Sequence, residues 1–110
     1  VTGTAQNLGR EIALELSRHG CSVICVDINA EGNKKTAQDV VKLGGKSREY
    51  TCDVADSKAV AELAIKAGPV DILVNNAGII CLESLLESSE ATITEVINVN
   101  VTSQFLHTKA

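Results

Sequence analysis

An α/β fold built on a doubly wound parallel sheet is predicted by three observations on these 110 residues. Short apolar runs alternate with segments of helical period along the whole chain. Those runs end in small or polar residues, as strand ends bordering a ligand crevice do. A glycine-bearing turn, from Thr2 to Gly9, leaves a strand and enters a helix.

Each element follows from local signals. Val1 reads as the last residue of a strand, and Thr2 to Asn7 as a turn of small and polar residues. Leu8 to Arg18 has helical period, with Leu8, Ile12 and Leu16 as the apolar stripe and Gly20 as the stop. Val23-Ile24-Cys25-Val26, closed by Asp27, is the continuous apolar run of a parallel strand covered on both faces. Asn29 caps a second helix, Ala30 to Leu43, which carries Val40, Val41 and Leu43 and ends at Gly44-Gly45. Lys46 to Cys52 alternates and is polar, as an edge strand would be. Asp56 caps a third helix, Ser57 to Ala67, with Val60, Leu63 and Ala64 inward, and Gly68-Pro69 stops it. Val70 to Val74 is a fourth strand, followed by a loop over Ile79 to Ser88. Ser89 begins the last helical stretch, through Ile93, Val96, Ile97, Val101 and Phe105. Right-handed crossovers turn this alternation into the Rossmann arrangement, with a ligand at the carboxyl ends of the strands.

Composition removes several functions. Hydrophobic residues make up 45% and charged residues 22%, a globular balance. The net charge of −4 and the lack of a basic run argue against nucleic acid as a partner. Tyr50 and Phe105 are the only aromatics, too few for a base-stacking platform. No apolar run approaches the ~20 residues that span a bilayer. Cys21, Cys25, Cys52 and Cys81 form no Cys-x-x-Cys pair, and with His19 and His107 they match no usual zinc spacing. Three of them fall in or beside buried strands, where cysteine acts as a small hydrophobe and suits a reducing, intracellular, cytoplasmic setting. The chain has no methionine, opens inside a motif and ends inside a helix. It is read as an internal fragment, truncated at both ends, with residues 1–110 as a partial Rossmann domain. An upstream membrane anchor, at the endoplasmic reticulum or a lipid droplet, would then lie outside it.

Four strand ends carry the chemistry. Gly3 supplies a tight turn, and Gly9 lets the helix approach the sheet, so that a pyrophosphate can sit on the free amides of the helix N-terminus. Asp27 lies 18 residues after Gly9 at the end of a strand, where a carboxylate accepts from adenosine ribose hydroxyls. Neither Ile28 nor Asn29 is basic, so no cation is placed there for a ribose phosphate, which favours NAD over NADP. Asp53-Val54 and Asn75-Asn76-Ala77-Gly78 leave the next two strands. The blander reading of each is a loop; their order and spacing together point to a dinucleotide. Glu83, Glu87 and Glu90 read as solvated surface, and His19 as a helix C-terminal residue favoured by the dipole.

These residues resemble the short-chain dehydrogenase/reductase family, with motifs T-G-x-x-x-G-x-G and N-N-A-G and a later active-site asparagine. Thr2-Gly3 and Gly9 match the first motif, Asn75 to Gly78 the second in full, and Asn100 in Val99-Asn100-Val101 the third. The resemblance spans essentially the whole chain. More loosely, Leu85-Leu86-Glu87, Ile97 to Asn100 and Thr108-Lys109-Ala110 resemble the 17β-hydroxysteroid/retinol dehydrogenase branch. The resemblance implies that Thr2, Gly3, Leu8 and Gly9 hold the cofactor turn, with the Leu8 backbone near the pyrophosphate. It implies that Asp27 binds the ribose, Asp53 the adenine amino group, and Val54 the ring. Asn75, Ala77 and Gly78 would line the cofactor channel, and Asn100 would serve a proton relay through its main chain and a bound water.

Two departures matter. Asn7 stands where the family has its middle glycine; asparagine tolerates the left-handed backbone such a turn demands, but its side chain could crowd a phosphate. The family's catalytic Ser and Tyr-x-x-x-Lys are absent, since Tyr50 is followed four residues on by Val54. The expectation is the cofactor half of an NAD-dependent oxidoreductase. It would act on a secondary alcohol or carbonyl, with a steroid, retinoid or other lipid-like molecule among the candidates, as a homo-oligomer. The alternatives are a non-catalytic dinucleotide sensor or scaffold on the same fold, and an enoyl reductase.

Overall fold

A computed structural model describes all residues, Val1–Ala110. The elements run α1 (Asn7–Arg18), β1 (Ser22–Asp27), α2 (Ala30–Lys42), β2 (Lys46–Thr51), α3 (Ser57–Ala67), α4 (Glu90–Ile97), a π-helical turn (Asn98–Thr102) and α5 (Ser103–Lys109). β1 and β2 pair in parallel from Ser22 opposite Lys46 to Asp27 opposite Thr51. Residues 1 and 2 lie on the other side of β1, joined by a parallel bridge between Thr2 and Val26. The Val1 amino group donates to the Ile24 carbonyl at 2.9 Å, and Val26 N donates to the Val1 carbonyl at 3.0 Å. Thr2 N then reaches the Val74 carbonyl at 3.0 Å. The spatial order is therefore β2, β1, residues 1–2, residue 74, as a doubly wound sheet requires.

Caps form where the sequence places them. The Asn29 side chain accepts from Gly32 N, Asp56 from Lys58 N and Ala59 N, and Ser89 from Thr92 N. Gly20, Gly44 and Gly68 close their helices at φ of 85°, 84° and 72°, a region that favours glycine.

Three expectations need correction. Val70 to Val74 forms no strand. Only Val1 and Thr2 lie between this segment and β1, so it has one ladder bond to make, and Val70, Ile72 and Leu73 stay exposed. The stripe of α1 is not Leu8-Ile12-Leu16. Leu8 is exposed, Ile12 and Leu16 are half-buried, and the buried face is Gly9, Ala13, Leu14 and Ser17. Small residues at i, i+4 and i+8 bring α1 close to the sheet, and that close approach outweighs the larger side chains. On α2, Val40 is buried whereas Val41 and Leu43 face solvent, because Asn33, Thr36 and Ala37 complete the inward face.

The core is two small clusters, one on each face of the sheet. Ala13, Val23, Cys25 and Ala37 form the first, and Val26, Cys52, Val60 and Leu63 the second. Cys25 and Cys52 are buried, and burial pushes both thiols up from their ordinary value. Cys21 and Cys81 are half-buried. α1 and α2 are tied across the surface by Arg10, which reaches Asp39 at 3.0 Å. Hydrogen bonds from Lys42 and Arg10 hold the Asp39 carboxyl below its usual range.

Candidate functional site

The carboxyl ends of the strands converge on the N-terminus of α1. Gly3 takes φ +73° and Asn7 takes φ +47°, so the turn between them needs two left-handed residues. Asn7 supplies one as the commonest non-glycine resident of that region, and its side chain is exposed. No side chain caps α1. The first bonded amide of the helix is Arg10 N, on the Gln6 carbonyl at 3.2 Å. The amides of Asn7, Leu8 and Gly9 are therefore unclaimed at the positive end of the helix dipole, the arrangement that takes a phosphate.

Gly9 is dictated by contact. A Cβ there would collide with the Gly3 carbonyl and with Asn76 Nδ2. One at Gly3 would lie 2.7 Å from Asn76 Nδ2 and 2.9 Å from Ala77 Cα.

Asn76 is the residue that the sequence reading underused. Its Nδ2 donates to the Thr2 carbonyl at 2.9 Å and to the Gly3 carbonyl at 3.2 Å. Thr2 answers with its hydroxyl, which accepts from Asn76 N and from Ala77 N, each at 3.1 Å. The glycine turn and the Asn75–Gly78 segment are thus one clasped unit. The signal lay in the motif itself, since its second asparagine has no other evident work. Asn75 turns the other way and donates to Thr108 Oγ1 on α5 at 3.4 Å.

Asp27 is half-buried at the end of β1. Its carboxylate accepts from Ala5 N and from Asn29 N, each at 2.8 Å, which fixes its orientation beside the turn. Asp53 is exposed and accepts from Ala55 N at 2.9 Å, while Val54 is buried beside it. Asn100 lies in the π-helical turn, a feature frequent at functional sites. Its side chain pairs with the backbone of Ile79 in both directions, Oδ1 accepting at 2.9 Å and Nδ2 donating at 2.8 Å. A Cβ on the exposed Gly78 would lie 3.4 Å from Asn100 Oδ1. The Asn100 carbonyl accepts from Gln104 Nε2 at 2.7 Å. The residues named from sequence thus fall at one end of the sheet: Thr2, Gly3, Asn7, Leu8 and Gly9 at the turn, Asp27, Asp53 and Val54 at the ends of β1 and β2, and Asn75, Ala77, Gly78 and Asn100 beyond.

The histidines stand apart. His19 is the C-terminal cap of α1, and its Nδ1 donates to the Glu15 carbonyl at 3.0 Å. His107 donates from Nδ1 to the Ser103 carbonyl at 2.9 Å, and its buried Nε2 has no partner. No three His, Cys, Asp or Glu residues gather to hold a metal ion. No helix is long and apolar enough to cross a membrane.

The family model for the short chain dehydrogenase matches residues 1–110, the whole chain. The chain belongs to the short-chain dehydrogenase family. Among its relatives, the 2-dehydro-3-deoxy-D-gluconate 5-dehydrogenase of Dickeya dadantii (strain 3937) is 38% identical over 96% of this chain and 42% of its own length. The 7alpha-hydroxysteroid dehydrogenase of Escherichia coli (strain K12) is 40% identical over 71% of this chain and 32% of its own. A solved metagenomic short-chain oxidoreductase in complex with NADP superposes with a TM-score of 0.95 at 30% identity, covering 100% of this chain and 52% of that one. The chain therefore spans about half the length, or less, of the short-chain dehydrogenases it matches.

Within this family's turn, Asn7 is the testable departure. A left-handed non-glycine residue costs about 1–2 kcal/mol, somewhat less for asparagine. Asn7→Gly is expected to tighten NADH binding by the full-length protein and to raise its unfolding midpoint slightly. Fluorescence titration of both proteins checks this; an unchanged dissociation constant means that the Asn7 amide stays in solvent and off the phosphates.

Proposed function

We propose that the full-length protein is an oxidoreductase that moves a hydride between a nicotinamide dinucleotide and a secondary alcohol or carbonyl carbon. The observation that carries this reading is the glycine turn: Asn76 clasps its start, Ala5 N within it donates to the Asp27 carboxylate, and three unclaimed helix amides follow it. When bound, the nicotinamide would supply the hydride. The chain's own residues would bind and orient it. The amides of Asn7, Leu8 and Gly9 would take the pyrophosphate. Asp27, held by Ala5 N and Asn29 N, keeps acceptor capacity for ribose hydroxyls. Asp53 would take the adenine amino group and Val54 the ring face, with Asn75, Ala77 and Gly78 along the channel. Asn100, its side chain spent on Ile79, would act in a proton relay through a bound water on its carbonyl, which keeps a second lone pair beside the bond from Gln104.

NAD is the better fit than NADP, because a 2′-phosphate would meet the Asp27 charge and find no basic residue at Ile28 or Asn29. Asp27→Ala is expected to narrow or abolish a preference for NADH over NADPH, mostly by relieving repulsion of the phosphate. Equal affinities in the unmutated protein would remove the basis for this assignment. The relatives' names span a sugar acid and a hydroxysteroid, so the substrate class stays at secondary alcohol or ketone.

The test of function is transfer. The full-length protein is incubated with NADH deuterated at C4 and a panel of ketones that includes steroid and sugar-acid members. Deuterium on a product carbinol carbon supports the proposal. Tight NADH binding with no transfer to any of them favours a dinucleotide sensor.

A further inference from the structure

Behind the cofactor turn lies a buried polar cluster that the motif leaves unexplained. Thr4 and Thr36 are fully buried and Asn33 is 1% exposed. Polar side chains so placed must be satisfied or they destabilise the fold, and here every one is. Asn33 Nδ2 carries two hydrogens and faces two strand carbonyls, Cys25 at 3.2 Å and Tyr50 at 3.0 Å. Its Oδ1 accepts the Thr4 hydroxyl at 2.6 Å. The Thr36 hydroxyl donates to the Thr4 carbonyl at 2.8 Å. The amide thus ties β1 and β2 together and anchors the turn from within, while Thr36 grips the turn's backbone from one helical turn further along α2.

The adjoining contacts show what the anchor controls. Ala5, next to Thr4, donates its amide to Asp27 Oδ2. A Cβ on Gly32, next to Asn33, would lie 2.9 Å from Ala5 Cβ and 3.0 Å from its carbonyl. The turn is therefore held against α2 closely enough that one residue, Ala5, links it to the Asp27 carboxylate. An apolar filling would serve the core equally well in volume, but would leave the Thr4 carbonyl free to rotate the turn away.

We infer that Thr4, Asn33 and Thr36 are positioning residues for the dinucleotide, fixing the glycine turn in register with Asp27; this rests on the proposed reading of the turn as the pyrophosphate site. They touch no ligand themselves. They set the turn's backbone before a ligand arrives, so the cost of ordering it is already met.

Thr36 gives the cleanest test, because Thr36→Val keeps the shape and removes only the hydroxyl, whereas Thr36→Ser keeps the hydroxyl. Both are made in the full-length protein and titrated with NADH at a temperature where each is fully folded, as checked by unfolding curves. Thr36→Val is expected to weaken NADH binding about fivefold, the worth of roughly one hydrogen bond, and to raise the KM for NADH with kcat unchanged. Thr36→Ser is expected to restore both. NADH affinity untouched by Thr36→Val, or equally weakened in both variants, overturns the inference and leaves these residues a purely structural role. If the unmutated protein binds neither NADH nor NADPH, the proposed function fails instead. Amide exchange over residues 4–7, read by mass spectrometry, then decides the inference by itself: faster exchange in the Val variant than in the Ser variant supports it, and equal exchange overturns it.

Discussion

Gly9→Ala in the full-length protein is expected to lower NADH affinity by at least about tenfold, or ~1.4 kcal/mol, and to lower the unfolding midpoint as well. The added methyl has nowhere to go. It meets the Gly3 carbonyl and Asn76 Nδ2, and those two atoms already bond each other at 3.2 Å. Relief requires α1 to back away from the sheet or the clasp to open, and either motion carries the amides of Asn7 and Leu8 off the proposed phosphate position. Overpacking of this kind costs roughly 1–3 kcal/mol in stability alone. Gly20→Asn is the control. Gly20 also sits at positive φ, but open space surrounds it, and asparagine tolerates that backbone. It is expected to leave NADH affinity unchanged. Equal losses in the two variants would show that glycine content, rather than the contact at Gly9, governs the site.

The second large effect concerns the 110 residues on their own. They are expected to unfold with a free energy below about 3 kcal/mol, under the usual ~5–15, and to show no NADH turnover on ketones. Only 18 of 110 residues are buried, and the core is two clusters of four. Between β1 and residues 70–74 runs a groove of about 1080 Å³, lined by Ser22, Ile24, Val70, Ile72 and Leu73 and bridged at one end by Val1 and Thr2. Along residues 70–73 the backbone faces solvent instead of a neighbouring strand, so these groups add no ladder stabilisation, and the open edges invite association. Tyr50 is the only tyrosine, and Val54 rather than lysine stands four residues after it, so the tyrosine–lysine pair that the resemblance calls for is not met here and no turnover is expected. Denaturant titration and a turnover assay test the two halves separately. A cooperative transition within the usual stability range would contradict the first, and measurable turnover the second.

Much of this was legible because the signals were local. Asp56 four residues before the buried Val60 and Gly68-Pro69 after the helix bound α3 at Ser57 and Ala67, where the structure has it. Asp27 closes β1 for the same reason, a charged residue at the end of an apolar run. What escaped was long-range. Thr4 and Asn33 are 29 residues apart, and Thr36 reaches back 32 residues to the Thr4 carbonyl; neither pairing leaves a periodic trace. Leu8, Ile12 and Leu16 are a better apolar stripe than Gly9, Ala13 and Ser17, yet the close approach of α1 to the turn selects the small face. The π-helical turn at Asn98–Thr102 is likewise silent in hydropathy. It marks the helix that carries Asn100, whose side chain is engaged with Ile79 rather than with solvent.

On the function proposed above, this end of the sheet binds a nicotinamide dinucleotide through the Asn7–Gly9 amides and Asp27. Fluorescence titration of the full-length protein with NADH and NADPH in parallel tests it most directly. Saturable binding of both, with NADH the tighter, is the predicted result; no saturable binding of either cofactor would contradict it.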